Sequence, residues 1–91
     1  MMEKYDGQVL SGEWDDVTSE FILKRVKQID VQSVLTEKQF TRLRSYLETH
    51  QLNESIMITL HDQIPIMIAA EQRNELDSDI AGIAQYWDET T

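Results

Sequence analysis

The sequence predicts a small α+β domain in the order helix, helix, β-hairpin, helix, with an extra N-terminal strand allowed. Three observations carry this expectation. "ESIMITLHDQIPIMIAAE" (54–71) holds two alternating apolar runs around a polar break. "LTEKQF" (35–40) is a helix-start signature, and apolar residues recur at helical spacing both before it and near the end of the chain. Ninety-one residues suit one domain, and 41% hydrophobic residues suit a packed chain rather than a disordered one.

Residues 1–14 read as an N-terminal arm of weak periodicity, with a short strand at "GQVL", and residues 15–89 as the domain proper. The first helix is predicted over 16–29. Asp15 or Asp16 would cap it, Val17, Phe21, Ile22, Val26 and Ile29 would form its apolar stripe, and Lys24, Arg25 and Lys27 would suit its negative end. The second helix is predicted over 37–50. Thr36 and Gln39 match a capping box, Leu35 and Phe40 can staple across it, and Phe40, Leu43, Tyr46 and Leu47 continue the stripe.

The hairpin is predicted over 55–70. Ile56, Ile58 and Leu60 alternate with Met57 and Thr59, Ile66 and Ile68 alternate with Met67 and Ala69, and "HDQ" (61–63) supplies the turn. Pro65 cannot donate to a ladder, so it belongs at a strand start or on an edge, and it argues against one continuous helix. In the last helix, over 74–89, Asn74 is a plausible cap and Leu76, Ile80, Ile83, Ala84 and Trp87 share a face. Gly82 lowers its helix propensity by about 1 kcal/mol relative to alanine.

The charges are uneven. Residues 1–20 hold six acids and one base, residues 21–44 six bases and two acids, and residues 45–91 nine acids and one base, giving −9 for the chain. A field of that sign repels nucleic acid and anionic membrane and attracts basic protein surfaces. No cysteine is present, which excludes disulfides, thiolate chemistry and cysteine-based zinc sites. No apolar run approaches the length of a membrane span, and the first residues do not read as a signal peptide, so a soluble, cytoplasmic protein is expected.

Catalytic signals are weak. His61 beside Asp62 reads as a solvated turn pair, and His50 as an imidazole at a helix end. "DSDIAG" (77–82) opens like a calcium loop but lacks its later ligands. No catalytic or metal-binding residues, no cofactor and no enzymatic activity are therefore expected.

The leading functional expectation is a small acidic regulator or inhibitor that binds a basic surface of a protein partner, imitating nucleic-acid phosphates as some phage-type inhibitors do. Its contact residues would be Glu71, Glu75, Asp77, Asp79, Tyr86, Asp88 and Glu89. The alternative is a winged-helix-like nucleic-acid binder that presents Lys38, Arg42 and Arg44 from the helix at 37–50. The net charge weighs against it. A weak homodimer is also expected, because hairpin edges tend to pair and Trp14, Tyr86 and Trp87 lie near the ends of the chain.

"YLETHQLNESIMITLHDQIPIMI" (46–68) resembles the last helix and hairpin of DNA sliding clamps, where a Tyr-Leu helix precedes a strand, a tight turn, a Pro-led strand and a further strand. Tyr46, Leu47 and Pro65 hold those places with gaps. The resemblance implies a clamp-like fragment whose closing strand would be "IAGIAQYW" (80–87).

Overall fold

Four antiparallel strands, β1 (Met2–Asp6), β2 (Leu10–Asp15), β3 (Glu20–Val26) and β4 (Ile29–Leu35), pair in chain order as a meander. Helix α1 (Glu37–Glu48) follows. Next come a separate antiparallel pair, β5 (Ile56–Ile58) and β6 (Ile66–Ile68), a short 3-10 turn (Ala70–Gln72) and helix α2 (Arg73–Thr90). The computed structural model describes residues 2–50, 54–58 and 65–90, with side chains through Asp88.

Strands therefore come first, and the expected helix-helix-hairpin-helix order is overturned. No helix occupies 16–29; those residues form the β2–β3 turn, β3, the β3–β4 turn and the first residue of β4. Asp15 Oδ1 accepts from the Val17 and Thr18 amides at 3.0 and 3.4 Å, the same local pattern a helix cap makes, but here it closes a turn. The apolar stripe also dissolves: Phe21 and Val26 are buried, while Val17 is 82% exposed and Ile29 50% exposed.

The stripe had looked helical because β3 is irregular. Gly12 pairs with Leu23 and Ser11 with Arg25, so Lys24 has no counterpart on β2. Phe21 and Leu23 face the core, Lys24 and Arg25 are both exposed, and Val26 turns inward again. A bulge of this kind breaks the two-residue period that marks a strand.

Residues 2–15, expected as an arm, supply β1 and β2. In β2, Leu10, Gly12 and Trp14 are buried and Ser11, Glu13 and Asp15 are partly exposed, the alternation of a sheet with one wet face.

The later elements follow their local signals. Thr36 caps α1 through a complete box: the Gln39 amide donates to Thr36 Oγ1 at 3.2 Å, and the Thr36 amide donates to Gln39 Oε1 at 3.0 Å. Ile56 pairs with Ile68, Met57 with Met67 and Ile58 with Ile66, and all four isoleucines are buried. The expected turn at 61–63 lies outside the described residues. Residues 80–87 are helical in α2, so the closing strand of a clamp-like arrangement is absent. Among the described residues no helix precedes α1, so the winged-helix order is not found.

One cluster of buried residues joins the sheet (Leu10, Trp14, Phe21, Leu23, Val26), α1 (Phe40, Leu47), the four isoleucines of β5 and β6, and the α2 stripe of Leu76, Ile80, Ile83, Ala84 and Trp87. Among the described residues no helix is long and apolar enough to cross a membrane.

Candidate functional site

Helix α2 is tied to both turns that flank β2. At its first turns, the Asp79 carboxylate is buried and receives the β1–β2 connection. Val9 and Leu10 amides donate to Oδ2 at 2.7 and 2.9 Å, and the Gln8 amide donates to Oδ1 at 3.2 Å. The Tyr5 hydroxyl donates to Oδ1 at 3.2 Å. Burial first, and the neighbouring Asp79 charge second, push the Tyr5 hydroxyl up to about 12. Gly82 makes the close approach possible, since a Cβ there would lie 2.7 Å from the Tyr5 hydroxyl oxygen.

At the other end of α2, Trp87 Nε1 donates to the Ser19 carbonyl in the β2–β3 turn at 2.9 Å. Ser19 holds a φ of 57°, the left-handed region. Behind this anchor lies an aromatic group: Trp87 meets Trp14 edge-on at 5.0 Å and Phe40 at 4.7 Å, and Tyr86 stacks on Trp14 at 5.3 Å.

Acids flank the two segments that the Trp87 anchor joins. Glu13, Asp15 and Glu20 come from the paired ends of β2 and β3, Asp16 from the turn, and exposed Asp88 from the helix beside Trp87. Asp15 lies directly opposite Glu20. The Val17 amide holds the Asp15 carboxyl below the usual carboxylate range, so it stays ionised there.

The expected contact residues are distributed differently. Glu71 and Glu75 are exposed near the start of α2, and Asp88 is exposed near its end. Glu75 and Asp88 are thirteen helix positions apart, about 20 Å. Asp77 pairs with Arg73 at 3.7 Å, and Asp79 is interior, so neither joins a common outer face. Those two aspartates point to different partners and do not form the start of a calcium loop. Tyr86 is half-buried in the aromatic group, and Trp14 and Trp87 are core residues rather than exposed contributors to a dimer. The Glu89 side chain lies outside the described residues.

Of the basic residues, Lys38 and Arg42 are exposed one turn apart on α1, while Arg44 lines a cavity of about 310 Å³ with Leu47, Glu48, His50, Arg73 and Asp77. The three expected nucleic-acid contacts thus do not share one face.

Sequence reasoning missed two features. Arg73, the only base in the second half of the chain, is 2% exposed and closes α1 by donating to the Leu47 and His50 carbonyls at 3.1 and 3.3 Å. Its isolation among nine acids was the available signal. The acids at 13–20 were visible as a count, but reading Asp15 as a helix cap hid the turn that assembles them. No protein-family model, curated protein or solved structure matches this chain.

Proposed function

We propose that this protein is a non-enzymatic regulator or inhibitor that docks on a basic surface of a protein partner through the acidic end formed by Glu13, Asp15, Asp16, Glu20 and Asp88. The observation that carries the reading is the Asp15–Glu20 opposition beside the Trp87 anchor. The Val17 amide keeps the Asp15 carboxyl ionised, and a basic partner would complement the charges that lie beside it. Side chains that leave the backbone about 5 Å apart across strands and about 7 Å apart along one can set out a row of anions that stands in for a nucleic-acid backbone. The earlier set on α2 contributes only Asp88 to this row. Glu71 and Glu75 would act at longer range, by steering.

The test uses an oligo-arginine peptide as probe, with binding followed by fluorescence anisotropy at rising salt. The double variant Asp16→Lys/Glu20→Lys should bind several-fold more weakly than the unmodified protein. The variant Glu37→Lys/Glu48→Lys changes the net charge equally at a different place and should bind nearly as well as the unmodified protein. Equal weakening in both variants would show that only net charge matters and would sink the reading.

A further inference from the structure

We propose that the open face of the sheet, at Ile22 and Val34, receives apolar side chains of the protein partner, so that the partner's docking segment is cationic and amphipathic rather than a plain run of basic residues. The inference rests on the acidic-end reading and adds the chemistry of the segment that end binds. The buried side chains of the sheet, Leu10, Trp14, Phe21, Leu23 and Leu35, join those of the helices and of the β5–β6 pair on one face. The other face carries a cross-strand row from three strands: Glu13 of β2 pairs with Ile22 of β3, and Ile22 pairs with Val34 of β4. Both pairings precede the bulge beyond Leu23, so the two-residue period of the strands holds here. Val34 is 46% exposed, and Ile22 and Glu13 are partly exposed.

Two more apolar residues stand among the acids at this end. Met2, 45% exposed, lies opposite Asp15, which in turn lies opposite Glu20. Val17, 82% exposed, sits in the turn between Asp16 and Glu20. Lys4, on the far side of Glu13, is the one base in the two rows. Scattered apolar residues on a surface are ordinary, but a group of them rimmed by charge has the make-up of a contact surface, apolar at its centre and polar at its edge.

The charge selects the occupant. Nucleic acid and anionic membrane are repelled, and a second copy would bring its own net charge of −9 against the same charge. A segment with leucine- or valine-like side chains among its arginines and lysines satisfies both parts of the surface: its cations meet Glu13, Asp15, Asp16 and Glu20, and its apolar groups cover Ile22, Val34 and Val17.

Calorimetric titration of the full chain with two peptides of equal length and charge tests the proposal. One peptide alternates arginine with serine, the other arginine with leucine. The arginine–leucine peptide should bind roughly ten-fold more tightly, with a more negative heat-capacity change, and part of its affinity should survive salt because apolar burial is not screened. Val17→Ser/Val34→Thr should remove most of that advantage and leave the arginine–serine affinity unchanged. Both positions are exposed, and threonine keeps the branched shape that suits a strand, so the circular dichroism spectrum should not change. Met57→Ser/Met67→Ser, which removes exposed apolar groups from the β5–β6 pair, should keep the advantage. Equal affinity for the two peptides, or an advantage that survives Val17→Ser/Val34→Thr or disappears in Met57→Ser/Met67→Ser, would overturn the proposal and leave the acidic-end reading standing. Failure of both peptides to bind would remove the acidic-end reading and this inference with it. A dimer of the unmodified protein that Val34→Thr dissolves would assign the row to a second copy and overturn the proposal as well.

Discussion

Asp79 Oδ2 lies 2.7 Å from the Val9 amide nitrogen, a contact between residues seventy positions apart. With Leu10, Gln8 and Tyr5 it makes one carboxylate the acceptor for an entire strand connection. Asp79→Asn keeps the shape but removes the charge and points an NH₂ group toward backbone donors. Hydrogen bonds to charged groups are the stronger ones, and their buried donors are expensive to leave unmet. The variant should lose about 3 kcal/mol of stability, read as a lower urea midpoint by fluorescence of the buried Trp14 and Trp87.

Tyr5 gives the fold an alkaline limit. Its hydroxyl is raised to about 12 in the folded chain, from an ordinary value of 10. Between those values the unfolded chain has released the proton and the folded chain retains it, so stability falls as pH rises through that window. Below pH 10 the contribution is fully present. In Tyr5→Phe the slope of melting temperature between pH 10 and 12 should flatten markedly. An unaltered slope would place the alkaline transition elsewhere.

Thr36 completes a reciprocal pair with Gln39 at the start of α1. Thr36→Ala should cost about 0.5–2 kcal/mol, measured as a shift in denaturant midpoint at constant m-value. Thr36→Ser keeps the acceptor oxygen and should recover most of the loss.

Ser19 offers a gain rather than a loss. Its φ of 57° is unfavourable for any residue with a Cβ, while its link to Trp87 uses only the backbone carbonyl. Ser19→Gly relieves the backbone and leaves that bond in place, although glycine gives back part of the benefit through the unfolded chain. The expected net is a stabilisation of about 0.5–1 kcal/mol, visible as a melting midpoint a few degrees higher.

What could be read from the sequence was whatever is decided within a few residues. The Thr36 box spans three positions, and the β5–β6 alternation spans two short runs. The α2 stripe repeats on one face, and Leu76, Ile80, Ile83, Ala84 and Trp87 are all buried. Failures arose where two structures share one local signature. Asp15 bonds the same amides as a helix cap, and the extra residue at Lys24 gives β3 a spacing close to a helical one. β1 lacks an alternation signal because it is an exposed edge, and β2 carries glycine where a core residue would have announced a strand. The role of Asp79 had no local sign at all, because its partners sit at the far end of the chain. A carboxylate on an acidic helix looks solvated until the fold supplies the donors.

The double tie of α2 to the turns on either side of β2 has a consequence for synthesis on the ribosome. Leu10, Trp14, Phe21 and Leu23 are made before the helix that covers them. Until residues 76–87 have emerged, the growing chain carries an uncovered apolar sheet face and an unsatisfied strand connection at 8–10. Long-range closure of this kind slows folding and prolongs the time during which nascent chains can stick to one another. Chains stalled before Leu76 should therefore depend on chaperones, whereas chains extended past Trp87 should resist protease while still tethered.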